Sequence, residues 1–440
     1  MTSDARALSA LETPGAEFPS IAPPSKWVGG VVFVWTTLVV ARGLLGGVNP
    51  RFHWLVSAVA VIFIAPFLLR ARCATFAPGL LPAWLLAVSV LLSSVGSPDP
   101  LYGLAEAGKL GIMLVVTLTL FVTHSRYAHY AFRAFVFSAY LNVVLLLAGF
   151  LGVATLSREM MLRRWGTLLD YPGSLWRVGI LSVGWSAYLL LARDKPVQRL
   201  TLLAASLALI YFDGSRTGFL LLCLVAVPFL LVVRVVEGRS LVSRLATVGA
   251  AFVLTLALVA GWNWAASQHS ASQASGSLGR IAQLASSLKL EGATGLAAAD
   301  PVRVRMLQTG LAALREAGVV GSGIETTRAG TEEGLFVLHM TYFQVLGDLG
   351  LLGLVAYLWL TLGWLLWLPR AWANIRGMVS APRRGLYYNA ILLLFLFALA
   401  ALFHPLSTEW SEWITFVIPY ALFWEAVRAT PLAEQANVAP

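Results

Sequence analysis

The stretch HMTYFQVLGDLGLLGLVAYLWLTLGWLLWL, residues 339–368, decides the fold. Between Thr341 and Leu368 it carries a single charged side chain, Asp348. A helix of roughly 20 apolar residues crosses the hydrocarbon core of a bilayer, so residues 341–368 are predicted to span a membrane with length to spare. Similar apolar runs recur in both directions along the chain. They place spans at about 27–47, 54–69, 80–97, 107–123, 132–154, 176–192, 199–214, 217–235, 245–265, 341–368, 386–403 and 413–428. The composition agrees: 58% of the 440 residues are hydrophobic and 12% are charged, about half the charge of an ordinary soluble domain. The expected fold is an all-α polytopic membrane protein of about 12 transmembrane helices.

Charge sets the expected orientation. The formal net charge is +10, but the basic residues lie between apolar runs, which points to membrane lipids rather than nucleic acid. One set of short ends carries 17 Lys and Arg and the other carries 8. Short basic loops stay in the cytoplasm, so both termini are predicted to be cytoplasmic. Residues 1–26 then read as a disordered cytoplasmic tail, 27–265 as spans one to nine, 266–340 as a large external loop, 341–428 as spans ten to twelve, and 429–440 as a second tail. The loop is expected to be partly helical. SLGRIAQLASSLKL (277–290) has the spacing of a helix lying on a membrane surface. A second helix follows, with Asp300 as N-cap, Pro301 in the first position, Val304, Leu307, Leu311 and Leu314 as one apolar stripe, and Gly318 as its end. The two cysteines, Cys73 and Cys223, form no CxxC pair, and neither a disulfide framework nor a zinc site is expected.

Residues suited to chemistry gather on the external side. Arg216 lies in YFDGSRTGFLLL at the outer end of span seven; a guanidinium offers a planar fork of donors for phosphate, Ser215 adds a hydroxyl, and Gly214 and Gly218 permit close backbone approach. Arg303 and Arg305 open the second loop helix and point to different faces, with Arg303 nearer the anion-attracting N-terminus. His339 stands at an external membrane boundary, where imidazole serves as a base near neutral pH; His404 is its best rival. The loop REMMLRRWGTLLDYPGSLWR (158–177) sets Arg158, Arg163, Arg164 and Arg177 beside aromatic residues and suits a pyrophosphate or a phosphorylated acceptor. No Walker loop, HExxH, GxSxG or external DxD pair occurs, so neither ATP nor a metal or other cofactor is expected. Within the spans, acidic residues are limited to borderline cases such as Asp213 and Asp348, which weighs against ion-coupled transport.

Three stretches in order resemble the O-antigen ligase and polymerase superfamily of bacterial envelope glycosyltransferases: GSRTG at 214–218, RVRMLQTGLAALREAGVVGSG at 303–323, and HMTYFQVLGDLGLLGLVAYL at 339–358. The loop at 164–177 is similar to a weaker upstream pattern. The sequence departs from many relatives at Gly318, where proline is frequent, and at Met340, where asparagine is frequent. The resemblance implies a GT-C-like fold and an O-antigen ligase in the inner membrane of a Gram-negative bacterium, with its active site facing the periplasm. Such an enzyme moves a glycan from undecaprenyl pyrophosphate to a sugar hydroxyl of lipid A-core, needing no nucleotide because the pyrophosphate is the leaving group. It implies His339 as general base, Arg216 and Arg303 as stabilisers of the leaving diphosphate, and Arg163, Arg164, Arg177, Ser215, Arg305 and Tyr342 as contacts to the diphosphate or to acceptor phosphates. Direct attack would invert the anomeric centre. Alternatives are an O-antigen or exopolysaccharide polymerase, a protein O-glycosyltransferase and, from a different class, a transporter or flippase of lipid-linked saccharide.

Overall fold

A computed structural model describes residues 26–41, 80–111, 114, 118, 121, 125–153, 157–160, 164–169, 175–236, 301–316, 318–331, 334–406 and 410–429. The chain is mostly helical. Among the described residues three helices are long and apolar enough to cross a membrane, at 126–149, 341–377 and 381–400. The first tail, spans two and nine, the 277–290 helix and Asp300 lie outside the described residues.

The helices are α1 (Lys26–Val40), α2 (Leu81–Val95), α3 (Pro100–Gly111), α4 (Arg126–Phe150), α5 (Leu175–Leu191), α6 (Pro196–Asp213), α7 (Arg216–Leu221), α8 (Val227–Val236), α9 (Pro301–Glu316), α10 (Thr341–Leu362), α11 (Leu368–Gly377), α12 (Ala381–Ala400) and α13 (Trp410–Arg428). A π-helical turn, Leu222–Ala226, joins α7 to α8, and a 3₁₀ turn, Gly363–Trp367, joins α10 to α11. Two short antiparallel hairpins accompany the helices. β1 (Ser157–Met160) pairs with β2 (Arg164–Thr167), and β3 (Arg328–Thr331) pairs with β4 (Gly334–Val337). Both fall in segments between spans. Four-residue strands are too short to show an alternating pattern in a sequence.

Small residues bring the central helices together, as is usual where lipid gives no hydrophobic drive to associate. Gly179 of α5 lets Ser206 of α6 approach so closely that a Cβ there would stand 2.5 Å from the Ser206 carbonyl oxygen. The Ser182 and Ser206 hydroxyls meet at 2.8 Å in the same interface. On the other face of α5, Asn389 of α12 places its amide between Leu181 O and the Trp185 N–H, donating at 2.7 Å and accepting at 3.2 Å. Gly184 leaves the room for it.

The helices share two ends. At one, His129 of α4 meets Glu425 of α13 at 3.1 Å, and Arg384 donates to the Tyr188 hydroxyl at 3.0 Å. At the other, the start of α5 meets the end of α6, the start of α10 meets the turn after α12, and Arg177 of α5 pairs with Glu412 of α13. Of the residues expected to carry chemistry, Arg177, His339 and His404 lie at this second end.

The tenth span was expected over 341–368, with length to spare. It is broken at Gly350, with φ 73° and ψ −170°. A helix broken inside a membrane needs new partners for its freed backbone groups. The segment 318–323 supplies them. Leu351 N–H donates to Gly318 O at 3.0 Å and Leu352 N–H to Val319 O at 3.2 Å. In return, Ser322 N–H donates to Gly347 O at 3.2 Å and Gly323 N–H to Asp348 O at 2.9 Å. Gly318 therefore serves α10 through its carbonyl.

Candidate functional site

The site begins at the junction of α5 and α6. Asp213, the last residue of α6, is fully buried, and its Oδ2 accepts from the Trp176 N–H of α5 at 3.1 Å. A carboxylate at a helix N-terminus satisfies a free N–H and complements the helix dipole. This explains the acid at the edge of span seven. Gly214 then turns the chain in the left-handed region, φ 71°, where glycine is favoured. Ser215 caps α7, its hydroxyl accepting from the Gly218 N–H at 3.3 Å. The hydroxyl expected to touch phosphate is engaged in capping. Gly218 abuts Trp176, since a Cβ there would lie 2.8 Å from the Trp176 side chain; the close approach is between helices. Arg216 is the first residue of α7; its side chain lies outside the described residues.

Asp348 organises the second part. It is fully buried in the first half of α10. Its carboxylate accepts from Glu325 N–H at 2.8 Å, Thr327 N–H at 2.7 Å, Thr326 Oγ1 at 3.2 Å and Gln344 Nε2 at 3.0 Å. Gln344 in turn accepts from the Leu406 N–H at 2.6 Å. Thr341 donates its N–H to Ala401 O at 2.8 Å and its hydroxyl to His404 O at 2.7 Å. Thr341, Gln344 and Asp348 are spaced along one helix face. That face ties the loop after α9 and the turn after α12 to one short helix. His339 and His404 are thereby fixed on adjoining segments.

Arg303 arrives from the same side. On α9 the buried residues are Met306 and Gly310. Gly310 admits the Phe343 ring of α10, which a Cβ would meet at 2.9 Å. Met306 joins Ala329 and Leu338 in a small separate core packed by Val302, Met340 and Phe343. His339 stands between Leu338 and Met340, and Arg303 follows Val302, so this core sets both. The predicted apolar stripe does not do the packing: Leu307, Leu311 and Leu314 are exposed among the described residues. The small face of α9 is used instead because it lets two helices approach.

Charge and burial act on the histidines. Burial, helped by the Arg303 charge, lowers the His339 pKa below the usual imidazole value. Burial lowers His404 further, to about 3, with Arg177 and Arg303 adding to it and Glu412 opposing. Both imidazoles are neutral at neutral pH and able to accept a proton or a hydrogen bond. Of the two arginines that open α9, Arg303 is the one whose charge bears on the histidines. Both Arg303 and Arg305 are exposed.

Beside them lies a small cleft of about 70 Å³. It is lined by Arg177, His404, Glu412 and Thr341 together with apolar side chains of α5, α12 and α13. The Trp176 and His404 rings stack there with centroids 5.8 Å apart. His404 Nε2 is shielded from solvent and has no hydrogen-bond partner among the described residues.

The remaining expected contacts divide. Arg177 lines the cleft, 5.6 Å over the Trp176 ring, but its guanidinium is paired with Glu412. Tyr342 points inward, donating its hydroxyl to Ala398 O at 2.7 Å and packing edge-on against Tyr357; it is engaged in joining α10 to α12. Arg164 sits on β2 and Arg158 on β1, with side chains outside the described residues, as is all of Arg163. Glu412 was missed by sequence reasoning. It stands within an apolar helix near its start, and only the fold brings it to Arg177. Among the described residues no group of His, Cys, Asp and Glu is arranged to hold a metal. No family model matches the chain, and no curated protein matches it.

Proposed function

We propose that this protein is an O-antigen ligase, which transfers a glycan from undecaprenyl pyrophosphate to a sugar hydroxyl of lipid A-core at the periplasmic face of the bacterial inner membrane. The observation that carries the proposal is the small core of Met306, Ala329 and Leu338, packed by Val302 and Met340, which sets Arg303 and His339 on the same side of the bundle as the cleft lined by His404. Arg303 and His339 come from two of the stretches that resemble the superfamily, and the third, GSRTG, abuts the cleft wall through Gly218 and Trp176.

The reaction needs a base and a counter-charge. The acceptor hydroxyl loses a proton as its oxygen attacks the anomeric carbon, and the bond from that carbon to the pyrophosphate oxygen breaks. His339, held neutral, takes the proton, a role worth roughly 10²–10⁴-fold in rate. Arg303, and Arg216 from the start of α7, neutralise charge growing on the diphosphate, each at the scale of a few kcal/mol. Direct displacement inverts the anomeric centre.

Exchange of His339→Ala and Arg303→Ala, each tested for glycan transfer in membranes at matched protein levels, checks these roles. Transfer should fall by about 10²-fold or more in each. Near-normal transfer by either variant would remove that residue from the mechanism.

A further inference from the structure

We propose that α9 lies on the surface of the lipid bilayer, with Leu307, Leu311 and Leu314 between the headgroups and the acyl chains and Arg315 at the level of the lipid phosphates. This seat does not rest on the ligase reading.

The packing of α9 leaves an apolar face over. Met306 and Gly310 are its buried residues, whereas Leu307, Leu311 and Leu314 are exposed. Leu311 follows Leu307 by four residues and Leu314 follows by three more, so the three form one stripe. A row of leucines gains nothing from water and gains from an apolar medium.

Continuity with the spans identifies that medium. α10 belongs to a helix long and apolar enough to cross a membrane. Beyond its break, Leu351, Val355 and Trp359 are exposed at intervals of four, and on a spanning helix such a stripe meets lipid. α2 packs along α10 and carries a second exposed stripe, Trp84, Val88, Leu91 and Val95. Both stripes end on the segment that follows α9. Leu351 donates its N–H to Gly318 O at 3.0 Å. Ser97, just past α2, comes so near Gly323 that a Cβ on the glycine would stand 2.6 Å from the Ser97 Cβ. Between these two contacts Val319 and Val320 are exposed. The apolar surface of the spans thus leads through Val319 and Val320 to Leu314 at the end of α9.

Charge points to the same partner. Arg315 stands four residues after Leu311, beside the stripe, and is exposed. Its stem can pack on apolar surface while its guanidinium pairs with a lipid phosphate. Arg305 and Glu316, also exposed, are eleven residues apart and share the face turned away from the stripe. With 16 residues, α9 is too short to span a bilayer. An apolar stripe opposite a charged face is the pattern of a helix lying in the plane of the interface. Arg303, on the same helix, is thereby held at headgroup level.

The test uses the full chain in nanodiscs of phosphatidylethanolamine with phosphatidylglycerol. In a protein without Cys73 and Cys223, a nitroxide is attached in turn at Leu307→Cys, Leu311→Cys and Leu314→Cys. Val355→Cys is the lipid reference and Arg305→Cys the water reference. Collisions of each label with oxygen and with a water-soluble nickel chelate are measured. At the three leucine positions the ratio of oxygen to nickel collisions should exceed that at Arg305 at least threefold and approach that at Val355. A label at Arg315→Cys should fall between the two references. Ratios at the Arg305 level would place the stripe in water. Few collisions with either reagent would place it under protein, a second copy or another part of this chain. Either result overturns the proposal. The unmodified protein gives an independent check, with a phospholipid carrying a diazirine near its glycerol backbone. After irradiation, trypsin cuts at Arg305 and Arg315 and releases the peptide 306–315. That peptide should carry lipid adducts, and its absence among the labelled peptides would also overturn the seat.

Discussion

At the level of single residues the site is a contest between charges and burial. His339 titrates below the ordinary imidazole value because it is partly buried and because Arg303 stands near. A lowered pKa keeps the base neutral to lower pH. Removing the Arg303 charge should let the His339 pKa rise toward its usual value, so the neutral form is lost at higher pH. Arg303→Gln is therefore expected to move the acid limb of the kcat/KM profile upward in pH as well as lowering its height. A lower profile with an unmoved limb would separate the two residues. The sequence showed that His339 and Arg303 are candidates, because arginine and histidine are few on that side of an apolar chain. It could not show Glu412 beside Arg177, since those residues are 235 apart and only packing relates them. Nor did it show that Ser215 and Tyr342 are occupied, because capping a helix and binding phosphate call for the same atoms.

At the level of elements, the break in α10 positions the site. The apolar run after Thr341 was readable as helix, and its length was readable as excessive. The break was not, because its cause lies about 30 residues upstream, in the carbonyls of Gly318 and Val319. Asp348 looked like a borderline membrane acid and is the clasp that holds the upstream loop. Asp348→Asn should destabilise the protein by about 1–3 kcal/mol, since an amide nitrogen would face donors it cannot satisfy. Thermal unfolding in detergent measures this, and an unchanged midpoint would deny the clasp its role. Gly350→Ala is expected to be at least as harmful. Its φ is positive, and a Cβ would lie 2.5 Å from Val319 O and 2.7 Å from the Gly321 nitrogen, a collision with backbone that cannot turn aside.

At the level of the whole molecule, the bundle has two chemically distinct ends. Short basic loops were read as marking one side; Arg384 and Arg428 lie at one end of the bundle, and Arg177, Arg303 and His339 at the other. Helices such as α5 and α12 were readable from their apolar runs. The two hairpins were not, because four paired residues leave no periodic trace. The orientation predicts labelling. In a protein without Cys73 and Cys223, Leu335→Cys, exposed on β4, should react with an impermeant maleimide in cells whose outer membrane alone is opened. Val197→Cys, exposed at the opposite end, should react only after the inner membrane is breached. The reverse pattern would place the cleft in the cytoplasm.

The most direct measurement is reconstitution: purified protein in nanodiscs, given undecaprenyl-pyrophosphate-linked glycan with lipid A-core, in chelator and without nucleotide. Core capped by glycan, formed by the unmodified protein and lost in His339→Ala, is the expected result. Longer lipid-linked polymer from donor alone, or movement of donor across the bilayer with no new glycosidic bond, would contradict it.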